Sequence, residues 1–459
     1  MSHFLNPDEI RSRFSALMSD MYQKEVPLYG DLISLVSDVN KSVLEKSPEI
    51  KNQLTQTGEL PRLDLERHGA IRLGKAEELF TIRRVFAVMG MFPVGYYDLA
   101  PAGVPVHSTA FRAIEAESLN KSPFRIFTSL LRLELIDNEE LRQTATNILA
   151  NRNIFTDKAI ELTEKSEQQG GLSAEDAEIF VQEVLETFRW HKEAAVSKDI
   201  YQALHDQHRL IADVVAFKGP HINHLTPRTL DIDEVQIGMS KRGIPPKEII
   251  EGPPRRNCPI LLRQTSFKAL EEAVSFIDAD NKVDGSHTAR FGEIEQRGIA
   301  LTAKGRALYD ELLNKTRIAT KGQRIEDNPD AYMTVLSKTF EPFPDTYLEL
   351  QAQDLAYFYY YPVEGAKPNK TVSIADLPQL LNDGLIRIEP IVYEDFLPVS
   401  AAGIFQSNLG GTAQKHYDES SNRTAFEEAL GAKVQDELAL YAATQKASID
   451  ACLAALNKV

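Results

Sequence analysis

Apolar positions recur at helical spacing through the first part of the chain. The apolar residues that set this spacing are Ile10, Phe14, Met18, Met21, Leu28, Leu32, Leu35 and Val39. Gly58 and Pro61 then interrupt the pattern. Because apolar residues three or four apart share one face of a helix, the pattern predicts N-terminal helices over about residues 1–60.

A second helical region is predicted over about residues 134–208, where Glu, Gln, Ala and Leu dominate, with a break at Gly170–Gly171. Ser173 is followed by acidic residues, as the N-terminus of a helix favours. Residues 84–97 predict a short helix leading into a strand, and residues 424–457 predict a closing helix or helix pair.

Short apolar runs between these regions predict strands. The runs are Val214–Phe217, Leu355–Tyr361, Leu385–Glu389 and Ile391–Tyr393. A further strand is predicted around Glu293, where alternation would place Phe291, Glu293 and Glu295 on one face. Helices mixed with strands in this order indicate an α+β protein with a mixed sheet and helices beside it.

Composition narrows the class of protein. The chain has 459 residues, 43% hydrophobic and 26% charged, which is ordinary for a soluble globular protein. No apolar run approaches the ~20 residues of a membrane span, and no secretory signal is evident at the start. Cys258 and Cys452 are too few for a disulfide framework. We therefore expect a cytoplasmic protein with no membrane partner.

The net charge of −16 argues against a nucleic-acid surface, because phosphate binding needs a basic face. The same charge repels small dianions at long range. An acidic substrate would therefore need a local positive pocket.

Candidate chemistry begins with His68 and Arg72, which lie four residues apart and share one side of either a helix or a strand. Arginine offers a planar fork of donors that suits a carboxylate. His221 and His224 form a His-x-x-His string between Gly-Pro and Thr-Pro, which favours extended structure. Extended residues three apart point to opposite sides, so one of these histidines is a better ligand candidate than both. Structural histidines remain the alternative for each string.

Glu293 and Glu295 are the acidic candidates of the third string. Strand alternation places both on one face and does not choose between them. Surface ion pairs are the alternative interpretation for either glutamate.

Several long motifs resemble one family in the same order. They are Arg67–Arg72, Phe92–Leu99, Pro123–Arg132, His221–Arg228 and Phe396–Phe405. Together they resemble the bacterial 2-oxoadipate dioxygenase/decarboxylases, which are vicinal oxygen chelate-like enzymes of lysine breakdown. The Phe291–Gly298 string is similar to the metal-ligand strand of hydroxyphenylpyruvate dioxygenases, and in that register Glu293 takes the ligand position.

The resemblance implies a set of site residues and a reaction. His68, His224 and Glu293 match iron ligands, Arg72 matches a substrate-carboxylate arginine, and Val399 and Ser400 match a stretch that lines the substrate pocket. Two imidazoles and a carboxylate suit non-haem Fe(II) oxygenases, because the opposite face of the metal stays open. The implied reaction converts 2-oxoadipate and O2 to 2-hydroxyglutarate and CO2. The implied fold is a vicinal oxygen chelate-like mixed sheet elaborated by helices, with residues 1–459 as a single unit.

Two other functions remain open at this point. One is a redox-neutral lyase or isomerase of the glyoxalase type, in which the metal acts as a Lewis acid on a 2-oxo acid. The other is a non-catalytic protein that binds a dicarboxylate. The remaining histidines, His107, His191, His205, His208 and His287, are interpreted as structural or surface groups, and Asn408–Gly411 as a turn. The sequence makes no prediction of oligomeric state.

Overall fold

The computed structural model describes residues 4–267, 271–278, 281–288, 290–320, 328–397 and 419–458. Val399 and Ser400, which the resemblance places in the substrate pocket, lie outside the described residues. The predicted turn at Asn408–Gly411 lies outside them as well.

α-Helices contain nearly half of the described residues. In order they are α1 (Pro7–Glu25), α2 (Tyr29–Lys46), α3 (Pro48–Gln56), α4 (Ala76–Val88), α5 (Ala116–Lys121), α6 (Glu139–Ala150), α7 (Asp157–Gln169), α8 (Ala174–Leu185), α9 (Lys198–Gln207), α10 (Arg209–Val215), α11 (Ile232–Lys241), α12 (Ala303–Ala319), α13 (Pro329–Thr339), α14 (Tyr347–Ala352), α15 (Leu377–Asn382), α16 (Glu419–Leu430) and α17 (Glu437–Leu456).

The strands form one larger sheet and three pairs. They are β1 (Arg67–Leu73), β2 (Phe92–Asp98), β3 (Val106–Arg112), β4 (Phe124–Leu131), β5 (Leu225–Pro227), β6 (Leu262–Ser266), β7 (Glu272–Asp278), β8 (Asn281–His287), β9 (Glu293–Arg297), β10 (Phe358–Pro362) and β11 (Ile386–Pro390). The larger sheet has the order β2-β3-β4-β1-β5, and the pairs are β6-β9, β7-β8 and β10-β11.

Strand β1 lies inside the larger sheet, parallel to β4 on one side and antiparallel to β5 on the other. Helix α4 follows β1 directly and provides the crossover that leads to β2. Strand β9 joins this arrangement at the far end of β5, where Thr229 donates its backbone N–H to the carbonyl of Glu295 at 2.7 Å. Three segments far apart in sequence therefore meet beside one sheet.

The predicted helical regions are confirmed. Helices α1 to α3 cover the N-terminal region, and α6 to α9 fill the second region with the expected break, because Gly170 ends α7 in the left-handed conformation. The Ser173 hydroxyl accepts the Asp176 N–H at 3.1 Å and caps α8 as predicted. The C-terminal prediction is confirmed as the pair α16 and α17.

The prediction of a strand over Val214–Phe217 is wrong. Residues up to Val215 belong to helix α10, whose N-terminus is capped by the His208 side chain, which accepts the Leu210 N–H at 3.1 Å. Residues 210–215 of this helix are buried throughout, so its apolar run shows no helical period. A short apolar run does not distinguish a buried strand from a buried helix by periodicity.

The strands predicted at Leu355–Tyr361 and Leu385–Glu389 are confirmed as β10 and β11, which pair antiparallel with Tyr360 opposite Ile388. Ile391–Tyr393 forms only an isolated bridge, between Val392 and Ile299. The predicted α+β class with a mixed sheet is confirmed. Among the described residues, no helix is long and apolar enough to cross a membrane.

Candidate metal centre

Three predicted ligand residues converge beside the larger sheet. His68 is the second residue of β1, His224 immediately precedes β5, and Glu293 begins β9. The antiparallel register places His68 opposite Thr226, which brings the start of β5 alongside the histidine. One ligand atom from each of the three side chains lies within 4.8 Å of the others. The structure therefore brings together a trio that is dispersed over more than two hundred residues of sequence.

The distances within the trio are short. His68 Nε2 lies 3.1 Å from Glu293 Oε1, and His224 Nε2 lies 3.6 Å from the same oxygen. The two imidazole rings are nearly perpendicular, at 88° with centroids 5.3 Å apart. All three side chains are fully buried. The group can therefore present two nitrogens and a carboxylate to one small ion.

Hydrogen bonds hold one oxygen of Glu293 and leave the other without a partner. Oε1 accepts from the Thr226 hydroxyl at 2.9 Å and from the Gln264 amide at 3.0 Å. Within the described ranges, Glu293 Oε2 and both ring nitrogens of His224 have no hydrogen-bond partner. Buried polar atoms are rarely left unsatisfied unless an ion or water occupies the site. Imidazole and carboxylate donors together fit a divalent transition metal.

Glu295 has different surroundings from Glu293. Its Oε2 lies 2.9 Å from the other ring nitrogen of His68, Nδ1, and its two oxygens accept from Arg297 at 2.8 and 2.9 Å. Glu293 contacts the Nε2 atoms of both histidines. Glu295 is bound by Arg297 and contacts His68 at the opposite ring nitrogen, Nδ1. A carboxylate on the far nitrogen of a ligating histidine fixes the ring orientation and its tautomer. The geometry thus separates the two glutamates that strand alternation leaves equivalent.

The pKa shifts follow from burial and these contacts. Burial lowers the pKa of His224 to about 4, despite the opposing charge of Glu293. Burial also acts to lower the pKa of His68, but Glu295 and Glu293 outweigh it and raise that pKa. Burial alone would raise the pKa of Glu295, but Arg297 and His68 lower it to about 2. His224 is consequently neutral and Glu295 ionised near neutral pH, which suits a ligand and its supporting carboxylate.

Aromatic rings pack against the two histidines of the trio. The Phe396 ring lies 4.9 Å from the His68 ring, and the Phe291 ring lies 5.1 Å from the His224 ring. Phe127 continues this wall against Phe396 at 5.4 Å. An apolar surround limits water and strengthens electrostatic interactions inside the site.

Gly69 allows the β1 backbone to approach the segment before His224. A Cβ at Gly69 would lie 2.5 Å from the Ile222 side chain and 3.2 Å from the His224 carbonyl. The approach is fixed by a hydrogen bond from the Asn223 N–H to the Ala70 carbonyl at 3.0 Å. A residue with a Cβ would prevent this approach, which explains why a glycine follows His68.

Arg72 shares a face of β1 with His68, as the spacing predicts. Its Nη1 donates to Asp213 Oδ2 at 2.7 Å. After the larger effect of burial, the Arg72 cation is one of the charges that lower the pKa of His224. The guanidinium thus lies close enough to the trio to affect its charge, and its role toward a substrate carboxylate stays a prediction.

A second cluster lies on the other side of the His-x-x-His string. His221 Nε2 lies 3.1 Å from Asp213 Oδ1, and His287 Nε2 donates to the same oxygen at 2.8 Å. As with the first trio, ligand atoms of Asp213, His221 and His287 lie within 4.8 Å of one another. Sequence reasoning does not find Asp213, although a single acid within the apolar run of α10 is a usable signal, because buried charges are normally paired.

Two imidazoles and a carboxylate, buried beside a mixed sheet with unpartnered ligand atoms, define a candidate metal centre in an α+β protein. The family model described as 2-oxoadipate dioxygenase/decarboxylase matches residues 14–408, and the chain belongs to this family. Membership identifies it as an enzyme.

The similarity to known proteins covers nearly the whole chain. The 2-oxoadipate dioxygenase/decarboxylase of Pseudomonas putida is 61% identical over 456 residues, which cover 99% of this chain and 98% of that protein. The protein of the same name from Escherichia coli is 56% identical, over 98% of this chain and 99% of its own length. A crystal structure of the P. putida hydroxyglutarate synthase in complex with 2-oxoadipate has 60% identity, covers 99% of both chains and superposes with a TM-score of 0.92.

Proposed function

We propose that this enzyme is an Fe(II)-dependent dioxygenase/decarboxylase that converts 2-oxoadipate and O2 to 2-hydroxyglutarate and CO2, as a cytoplasmic step of lysine breakdown. The observation that carries the proposal is the buried trio His68, His224 and Glu293, whose unpartnered atoms fit a metal. The family supports the choice of reaction, and the complex of the P. putida relative supports the choice of substrate. The reaction balances, because six carbons become five and one, and both oxygen atoms enter the products.

His68, His224 and Glu293 would hold the iron through Nε2, Nε2 and a carboxylate oxygen. Fe(II) bound by these residues would supply the oxygen chemistry for the 2-oxo acid. Thr226 and Gln264 hold the Glu293 carboxylate in place. Glu295 holds His68 from its far nitrogen. The protein thereby presents its ligands in one fixed orientation.

Arg72 would orient the substrate by binding a carboxylate, and we propose that this is the distal one. A guanidinium with five donors can keep its bond to Asp213 and still bind a second carboxylate. Fixing the chain at its far end points one carbon at the reacting centre, where positioning contributes strongly to rate. Val399 and Ser400 are proposed to line the same pocket.

We also propose that residues 1–459 work as one catalytic unit. The candidate ligands come from β1, the segment before β5, and β9, so a fragment lacking any of these would not form the site. Buried ion pairs connect the same region to the later part of the chain, as in Arg62 to Glu394 at 2.8 Å. Cutting the chain between these segments would leave buried charges without partners.

The test is anaerobic reconstitution with Fe(II), followed by 2-oxoadipate and air, with O2 uptake and the organic product recorded together. We expect equimolar O2 loss and 2-hydroxyglutarate formation, and His68→Ala should abolish both. Product formation without O2 uptake would instead indicate a redox-neutral lyase or isomerase. Tight binding of 2-oxoadipate without turnover would indicate a binding protein.

A further inference from the structure

The Asp213 carboxylate connects Arg72 to three other side chains. Oδ2 accepts from Arg72 Nη1 at 2.7 Å and from the Asn223 amide at 3.5 Å. Oδ1 accepts from His287 Nε2 at 2.8 Å and lies 3.1 Å from His221 Nε2. These partners come from β1, from the string that carries His224, and from the end of β8. One buried carboxylate therefore ties the proposed substrate arginine to the segment that carries a proposed metal ligand.

The far side of this carboxylate is fixed as well. His287 Nδ1 lies 2.8 Å from the Tyr201 hydroxyl. Since a carboxylate only accepts hydrogen bonds, His287 donates from Nε2 to Asp213 and can accept from Tyr201. The Trp190 ring stacks on His287 at 7° between planes, and Phe217 packs against it at 4.7 Å. Aromatic side chains thus hold His287 in place, and His287 in turn binds Asp213.

We propose that Asp213 is a positioning residue that orients Arg72 toward the distal carboxylate of the substrate and so sets the preference for dicarboxylic 2-oxo acids. The inference rests on the proposed function. A flexible arginine side chain loses conformational entropy when it binds, and a partner that orders it in advance reduces that cost. Asp213 supplies such order because its carboxylate binds Arg72 Nη1 in a charge-assisted hydrogen bond at 2.7 Å.

The surroundings argue against a metal ion at Asp213 itself. The Arg72 guanidinium already supplies a positive charge 2.7 Å from Oδ2, and a second cation there would be repelled. Both ring nitrogens of His287 have partners, in contrast to those of His224. Both oxygens of the Asp213 carboxylate therefore have partners without an ion, although His221 Nε2 makes no hydrogen bond.

The experiment compares 2-oxoadipate with 2-oxohexanoate, which has the same carbon chain but lacks the distal carboxylate. Dissociation constants are measured by calorimetry on Fe(II)-loaded protein without O2, and iron content is measured in parallel. In Asp213→Asn we expect the preference for 2-oxoadipate to fall about ten- to a hundred-fold, as misplacement of a binding group produces, with one iron per chain retained. Asp213→Glu, which keeps the charge but moves it, should lose part of the preference and serves if the asparagine variant is unstable.

A matched control is the buried pair of Arg152 and Glu78, which has the same chemistry outside the site at 2.7 Å. Glu78→Gln should lower thermal stability and leave the preference between the two acids unchanged. In an Arg72→Ala background, Asp213→Asn should have no further effect on the preference, because coupled residues are non-additive.

The possible results distinguish a failure of the role of Asp213 from a failure of the proposed function. If Arg72→Ala abolishes the preference and Asp213→Asn retains it, Asp213 does not position Arg72, and the proposed function stands. Loss of iron in Asp213→Asn would show a metal role for the second cluster and would overturn the inference. If Arg72→Ala itself keeps the full preference, the arginine does not bind the distal carboxylate, and both the proposed role of Arg72 and the inference fail.

Discussion

Two buried clusters of the same composition lie on either side of the string His221–His224. The first contains His68, His224 and Glu293, and the second contains Asp213, His221 and His287. Each has two imidazoles and one carboxylate, and in each the candidate ligand atoms lie within 4.8 Å of one another. They differ in what surrounds them.

In the second cluster, the carboxylate has Arg72 on one oxygen and His287 on the other. In the first, neither Glu293 Oε2 nor either nitrogen of His224 has a hydrogen-bond partner among the described residues. In the second, His221 Nε2 makes no hydrogen bond either, but both oxygens of the carboxylate have partners. Ligand type and spacing therefore do not define a metal site by themselves. The two carboxylates differ, because one oxygen of Glu293 has no partner while both oxygens of Asp213 have one, and burial makes an unpaired polar atom costly unless something binds it.

The largest effect is expected when one histidine is removed from each cluster. His224→Ala should lower iron affinity by more than about 100-fold, since even changes behind a ligand typically cost 10–100-fold. O2 uptake with 2-oxoadipate should disappear with the iron. The measurement is iron content after dialysis, together with O2 consumption.

His221→Ala is the control, since it removes a histidine three residues away in the same string. It should keep one iron per chain and lose only stability, because Asp213 retains Arg72 and His287. If His221→Ala lost iron and His224→Ala kept it, the assignment of the two clusters would be reversed.

Part of this arrangement could be predicted from the sequence. The Gly-Pro and Thr-Pro flanks of the His-x-x-His string predict extended structure, and the structure indeed places His221 and His224 in different clusters. The four-residue spacing of His68 and Arg72 predicts one shared face, which is found. Such predictions succeed because they depend only on the local geometry of the chain.

The rest depends on tertiary contacts that local patterns do not carry. The run Val214–Phe217 suggests a strand, but its residues are all buried and the chain forms helix α10 up to Val215. Alternation leaves Glu293 and Glu295 equivalent, and their difference comes from Arg297, Thr226 and Gln264. Asp213, which binds Arg72, comes from a helix 141 residues away.

An intermediate effect is expected from Glu295→Gln, a change on the side of His68 away from the first cluster. The variant keeps the size of the side chain but loses the charge that faces His68 Nδ1 at 2.9 Å and Arg297 at 2.8 Å. Iron affinity should fall about 10–100-fold, as for other carboxylates behind a ligating histidine. The measurement is an Fe(II) titration of metal-free protein under anaerobic conditions.

Glu293→Gln is the comparison for that titration. If Glu293 is the ligand, its loss should weaken iron binding more than the loss of Glu295 does. Equal effects, or a larger effect at Glu295, would contradict the assignment of the two glutamates.

The smallest effect is expected from Tyr201→Phe, at the rear of the second cluster. The change removes the hydroxyl 2.8 Å from His287 Nδ1 and leaves that buried nitrogen unsatisfied, which should lower the free energy of unfolding by about 1–3 kcal/mol. Iron content should not change, since no proposed ligand contacts Tyr201. The preference for 2-oxoadipate over 2-oxohexanoate should fall only about twofold, at the lower end of coupling between neighbours, because Asp213 keeps its direct bond to Arg72. Denaturant unfolding measures the loss of stability, and anaerobic calorimetry measures the change in preference.

A loss of iron in Tyr201→Phe would mean that the second cluster supports the metal after all, and the contrast between the two clusters would no longer hold.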